Sequence, residues 1–154
     1  MRLKTSYSAR EVAALTGLTA RQLQGWDATR VFQSAIASRR TSKGGFTERR
    51  YTPVDVLELL ALADLRRRGF APAQLKQMMD TLRAYFRRRL SETLDDLGEM
   101  RLLTDGKSLF LRTRQGHFFD LLVDPTQPLI TGDGLSLKAV TGKAKRKPKS
   151  RKIA

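Results

Sequence analysis

The 154-residue chain has room for one compact domain, or a small domain with an appendage, and is too short for a second large one. Thirty Lys and Arg against fifteen Asp and Glu give a formal charge of +15 and a pI near 11.1, a field that favours a polyanionic partner. The absence of cysteine excludes thiolate metal sites, iron–sulfur clusters, disulfides and cysteine-based redox sensing. No apolar run approaches the roughly 18 residues a bilayer requires, and Met1-Arg2-Leu3-Lys4-Thr5-Ser6 lacks the apolar core of a signal peptide. A cytoplasmic protein with no membrane partner is the expectation.

The charge is unevenly spread. Residues 1–90 hold 18 basic and 7 acidic residues, residues 91–140 hold 5 and 8, and residues 141–154 hold 7 and none. The middle segment therefore has a different task from its flanks.

Ser8-Ala9-Arg10-Glu11 has the pattern of a capping box, which starts a short helix with Val12, Ala13 and Leu15 on its buried side and Gly17 as its turn. Thr19-Ala20-Arg21-Gln22 repeats the pattern at once. Two short capped helices joined at a Gly-Leu pair describe a helix-turn-helix. In the second helix Leu23 turns inward, and Arg21, Gln22 and Gln24 are available to base edges and phosphates.

From Ala28 to Arg50 the chain is polar, basic and rich in turn formers, with Arg39, Arg40 and Lys43 before Gly44-Gly45 and Arg49-Arg50-Tyr51 at its end. A basic hairpin flanking a recognition helix is the layout of a wing that lies along phosphates. Thr52-Pro53 opens a third helix with Val54, Leu57, Leu60, Ala61 and Leu65 as its expected apolar stripe, and Arg66-Arg67-Arg68-Gly69 closes it. Those arginines stabilise a helix terminus first.

Pro72 opens a fourth helical stretch whose apolar residues Leu75, Met78, Met79 and Leu82 continue through Phe86, Leu90, Leu94 and Leu97. One long amphipathic helix, or two broken near residue 80, is expected. Its charges are polarised, with Arg83, Arg87, Arg88 and Arg89 preceding Glu92, Asp95, Asp96 and Glu99. An antiparallel copy would match plus to minus, so Leu82, Phe86, Leu90, Leu94 and Leu97 are the candidate seam of a homodimer. Beyond Met100 the pattern turns to strands, with a hairpin of Ser108–Arg114 and His117–Val123 about the Gln115-Gly116 turn. His117, the only histidine, lacks partner ligands, and no metal or cofactor is called for.

The fold class expected is mainly α: a winged helix-turn-helix over 6–82, a dimerisation helix over 83–99, a small antiparallel β appendage over 100–140 and a basic disordered tail over 141–154. The order of elements resembles the MerR family. The residues that carry the likeness are Tyr7-Ser8-Ala9-Arg10-Glu11-Val12-Ala13, Leu15-Thr16-Gly17-Leu18-Thr19, Leu23-Gln24-Gly25-Trp26-Asp27, Arg49-Arg50-Tyr51-Thr52, Asp55-Val56-Leu57 and Leu65-Arg66-Arg67-Arg68-Gly69-Phe70.

The resemblance implies a bacterial, nucleoid-associated transcription regulator bound to double-stranded DNA. Taken with the reading of the second helix and the wing, the candidate contacts are Thr19, Arg21, Gln22, Gln24, Trp26, Arg39, Arg40, Lys43, Arg49, Arg50 and Tyr51. Where the family usually has Thr-Leu-Arg-Tyr-Tyr-Glu, this chain reads Gln22-Leu23-Gln24-Gly25-Trp26-Asp27; Gln24 takes the Arg position, so base preference does not carry over. Trp26 stands at the second aromatic, and Arg49 is implied to contact phosphate with Tyr51 packed nearby.

The leading expectation is a sequence-specific dimer on a palindromic or repeated promoter site, performing no chemistry. The alternative is an antitoxin-like, phage or plasmid regulator whose β appendage binds a partner protein. A metal-dependent nuclease built on Asp95, Asp96, Glu99, Asp120 and Asp124 is a remote third, without a nucleophile–base pair or phosphate loop.

Overall fold

Side-chain caps decide where the first helices begin. In the computed structural model, which describes residues 4–36, 39–40, 47–129 and 137–142, Ser8 Oγ accepts from Glu11 N at 3.2 Å while the Glu11 carboxylate accepts from Ser8 N at 3.1 Å. This closed box starts α1, Ala9–Thr16, and Gly17 ends it at φ 78°, a left-handed turn that glycine adopts without strain. The Thr19–Gln22 box starts α2, Ala20–Ala28. Thr52 and Asp55 start α3, Pro53–Arg67, with Pro53 at a position whose missing amide is harmless. The fourth helix, α4, covers Pro72–Thr81.

Among the described residues nine short strands accompany the helices. β1, Tyr7–Ser8, pairs antiparallel with β4, Arg50–Tyr51, while β2, Arg39–Arg40, pairs with β3, Thr47–Glu48. The last five are β5 (Met100–Thr104), β6 (Leu109–Thr113), β7 (Phe118–Asp120), β8 (Pro128–Leu129) and β9 (Lys138–Ala139). They form one antiparallel sheet in the order β8-β7-β6-β5-β9. Leu102 faces Leu111 and Leu103 faces Phe110 across β5 and β6. From Met100 on, the described residues form a β layer, so "mainly α" holds only for the part before it.

The long amphipathic helix is not formed. Following α4, the backbone widens into a single π-helical turn over Leu82–Phe86, and Arg87 at φ 53° terminates it. A short 3-10 turn, Leu90–Thr93, follows after an extended step. The apolar period read from the sequence is real, but the break redistributes it within one chain. Leu82 and Leu90 are both 1% exposed in the core, Phe86 meets Phe119 edge-on at 5.3 Å, and Leu94 packs partly buried against the core. Only Leu97, 86% exposed, faces water.

The reason for the break lies on α3. Asp55 and Glu58 are buried one turn apart, and a buried carboxylate is costly unless it is paired and hydrogen-bonded. Arg89 supplies the pairing, with Nη2 at 2.5 Å from Glu58 and 3.5 Å from Asp55, and Ser91 N donates to Glu58 at 2.9 Å. A straight helix through residue 90 would forfeit these contacts. The expected stripe of α3 holds at Ala61 and Leu65, with Leu60 partly buried, and is corrected at Val54 and Leu57, which are 41% and 37% exposed while Leu59 and Leu62 face inward beside the two carboxylates.

The sheet does not stand apart. Leu102, Leu109, Leu111, Leu121 and Val140 belong to the same buried cluster as Val12, Leu23 and Leu59, and Gln77 Nε2 donates to Leu122 O at 2.8 Å. Arg101, 4% exposed, joins the 3-10 turn to the last strand: its guanidinium donates to Asp96 at 2.9 Å, Thr93 O at 3.2 Å and Val140 O at 2.7 Å. Nearly all of the expected tail, residues 143–154, lies outside the described residues.

Two outcomes follow from this packing. Arg89→Met leaves two buried carboxylates without their cation, and should lower unfolding free energy by about 2–3 kcal/mol, below the fully buried range because half of Arg89 is in water. Adding Glu58→Gln should restore part of the loss, as denaturant midpoints of both variants would show. Arg30, at φ 62° beyond the end of α2, occupies a conformation that disfavours a side chain. Arg30→Gly should therefore raise stability by about 0.5–1 kcal/mol, read as an upward shift of about 1–4 °C in Tm.

Candidate nucleic-acid interface

The outer face of α2 is built from Ala20, Arg21, Gln24, Gly25 and Ala28, all exposed, at spacings that place them on one side of a helix. Leu23 and Trp26 hold the opposite side in the core. Arg21 and Gln24 are the two long polar side chains on this face, with no hydrogen bond or ion pair among the described residues. They stand among three small residues. A Cβ added at Gly25 would meet nothing within 4 Å, so no packing within the chain requires glycine there. In a helix interior glycine costs roughly 0.5–1 kcal/mol relative to alanine; what it provides is a notch through which another backbone can approach.

Thr19 and Gln22 are occupied with each other. Gln22 N donates to Thr19 Oγ1 at 3.0 Å, and Thr19 N donates to Gln22 Oε1 at 2.9 Å. Gln22 keeps its amide N–H donors for another partner. Trp26 is placed otherwise than the resemblance implied: at 5% exposure it is a core residue, because it follows Leu23 at helical spacing on the buried stripe. The aromatic surface expected beside the DNA backbone is not offered there.

The wing is anchored at both of its roots. Arg49 Nε donates to Asp27 Oδ2 at 2.9 Å, tying the chain before β4 to the last turn of α2. That engagement leaves the terminal guanidinium nitrogens of Arg49 to reach outward. Arg50 Nη2 donates to Ser6 Oγ at 2.7 Å. At the other root the hydroxyl of Ser34 donates to Arg50 O and, at 3.2 Å, to Asp55 Oδ2, which also accepts from Ala35 N at 3.2 Å. Arg39 and Arg40 form β2 against Glu48 and Thr47; Lys43 lies outside the described residues.

Tyr51, 2% exposed, sits opposite Tyr7 in the β1–β4 pair. Burial pushes its phenol pKa above the ordinary 10.0, with the Arg49 charge opposing and Asp27 and Asp55 adding to the rise. Asp27, Ser34 and Asp55 hold the wing; Asp27 and Asp55 stand in segments that carry the family likeness, but no pattern in the sequence gives them this role. A carboxylate at the end of α2, 22 residues from its arginine, leaves no local pattern to find.

The carboxylates considered for a nuclease are held in local structure. Asp95 accepts from Leu97 N, Asp96 and Glu99 pair with Arg101 and Arg88, Asp120 accepts from Leu122 N and Val123 N, and Asp124 accepts from Thr126. Among the described residues no group of three His, Cys, Asp or Glu converges as metal ligands would.

A capped pair of helices with a polar outer face on the second, a wing rooted on that helix by Arg49–Asp27, and two further helices behind them make a recognisable DNA-binding unit. Residues 7–82 match the family model described as "MerR HTH family regulatory protein". Residues 7–82 are a MerR-type helix-turn-helix regulator domain. No curated protein matches the chain. The chain thus carries the DNA-binding unit of a transcription regulator, and the MerR-type domain takes in α1 to α4 and the wing, ending at Leu82 where the π-helical turn begins.

Burial of Tyr51 gives the MerR-type domain an alkaline limit. Its folded pKa exceeds the unfolded value of 10.0, so the contribution is complete below pH 10 and is lost as pH rises from there through the folded pKa, because the unfolded chain releases the proton first. Urea midpoints measured from about pH 9 to 11 should fall less steeply for Tyr51→Phe than for the parent chain. Equal slopes would show that Tyr51 ionises as readily folded as unfolded.

Proposed function

We propose that the chain regulates transcription by laying the outer face of α2 in the major groove and its wing along the adjacent phosphates. The observation that carries this is the face itself, in which Arg21 and Gln24 project between Ala20, Gly25 and Ala28. The side chains supply donors for guanine and adenine edges, and the small residues let the helix sit close. Arg39, Arg40, Lys43 and the outward nitrogens of Arg49 provide the salt-dependent share of affinity.

The form proposed is a homodimer on a palindromic or repeated promoter site. Exposed Tyr85 and Leu97, in the segment once expected to pair as a continuous helix, support a contact there. The alternative reading, a β sheet that docks a partner protein, has in its favour Val123 and Leu129, both exposed beside the edge strand β8.

The test is footprinting and gel-shift titration on DNA upstream of the chain's own gene across a salt series. Arg21→Ala should weaken binding and reduce the salt slope by about one. Gly25→Leu fills the notch, and should cost at least about tenfold in affinity while helical content by circular dichroism stays unchanged. If both variants bind as the parent does at every salt concentration, α2 does not face the DNA and the proposal fails.

A further inference from the structure

A cleft of about 770 Å³ lies between the end of α2, the start of the wing connection, the C-terminal half of α4 and residues 87–92. That volume falls in the range of small-molecule sites, roughly 300–1,000 Å³. Six cations line it, Arg30, Lys76, Arg83, Arg87, Arg88 and Arg89, against the three carboxylates Glu58, Asp80 and Glu92. Several of these already answer one another. Lys76 holds Asp80 at 2.7 Å, Arg89 holds Glu58 at 2.5 Å, and Arg88 reaches Glu99 at 2.7 Å.

Three guanidiniums are left over. Arg30, Arg83 and Arg87 are exposed, and their side chains have no hydrogen bond or ion pair among the described residues. Beside them the wall is apolar, contributed by Val31, Phe32, Met79 and Leu90. A second, independent observation marks the same place. Among the described residues only two non-glycine positions have positive φ, Arg30 at 62° and Arg87 at 53°, and both line this cleft. Glycine or asparagine suits a left-handed helix end better than arginine does. Backbone strain of this kind concentrates at binding sites.

The cleft shares no lining residue with the proposed DNA face of α2. The helix-turn-helix turn sits at the C-terminal end of α3, where Arg67 Nη1 donates to Thr16 O at 3.5 Å. Glu58 in the cleft is nine residues earlier on α3, about 13 Å along its axis. We propose that the cleft binds an organic anion with an apolar body, the anionic group held by Arg30, Arg83 and Arg87 and the body against Phe32, Met79 and Leu90. Occupancy does not rest on the DNA reading. Its consequence does: the segment 30–35 that lines the cleft also carries Ser34 and Ala35 to the root of the wing, so an occupant would bear on the wing's position.

Calorimetric titration of the full chain without DNA tests the site, with naphthoate, its neutral amide and inorganic phosphate as probes. Naphthoate should bind at least about tenfold more tightly than either of the others. Arg83→Gln with Arg87→Gln should weaken naphthoate at least about tenfold, whereas Lys107→Gln, which removes a cation from a turn of the sheet, should leave it unchanged. Arg30→Gly should weaken naphthoate while raising Tm, a combination that misfolding does not produce.

Absence of naphthoate binding at millimolar concentration would overturn the proposal, as would amide or phosphate binding of equal strength. So would parental naphthoate affinity in the arginine variants. If those variants instead bound DNA more weakly with a flatter salt slope, the cleft would be a track for the DNA backbone.

Discussion

Two carboxylates buried a helical turn apart on α3 set the terms for the rest of this structure. Asp55 and Glu58 lie where the hydrophobic pattern alone would place leucines, and such groups are tolerated inside only when cations and amides reach them. Different stretches of chain answer the two, although Asp55 Oδ1 keeps only its longer contact to Arg89. Asp55 takes the cap of its own helix and the backbone of residues 34–35; Glu58 takes Arg89 and the amide of Ser91. One turn of α3 therefore gathers the root of the wing and the exit from α4 at a single point.

That gathering has a cost in regularity. To bring Arg89 inward, the chain abandons a helix it could have continued, passing through a π turn and a left-handed arginine before Leu90 enters the core. Leu82 and Leu90 each contribute on the order of 2 kcal/mol of apolar burial to their own chain. The apolar stripe that looked like material for a partner is largely consumed at home, and the surface left between α2, α4 and the returning segment is the arginine-lined cleft.

What could be read in advance was what is local. The boxes at Ser8–Glu11 and Thr19–Gln22, Pro53 at the start of α3 and the Gly116 turn each rest on residues within four positions of one another, and the structure has an element boundary at every one. A break near residue 80 was one of two readings left open, and its cause could not be read. The period stays helical through Leu94, and the cause sits some thirty residues upstream at Glu58. Strand β9 was invisible for a similar reason, since its two residues pair with β5 residues 36 and 34 positions away. Trp26 is a different case. The resemblance pointed outward, whereas in the structure its place three residues after Leu23 puts it on the buried stripe. Of the DNA face, Arg21 and Gln24 were legible as residue types, whereas the small residues around them acquire meaning only once the helix is seen from outside.

The shared core of helices and sheet bears on how the molecule can be divided. The region matched to the family ends at Leu82, a side chain with 1% of its surface in water, and the cation that neutralises Glu58 comes seven residues later. The unit defined by likeness is therefore not a unit of cooperativity: heat or denaturant should find no seam between the DNA-binding half and the sheet. Exchange of this domain between proteins, by recombination or by design, would have to carry the segment through Leu90 with it, or supply another cation and another leucine in their place.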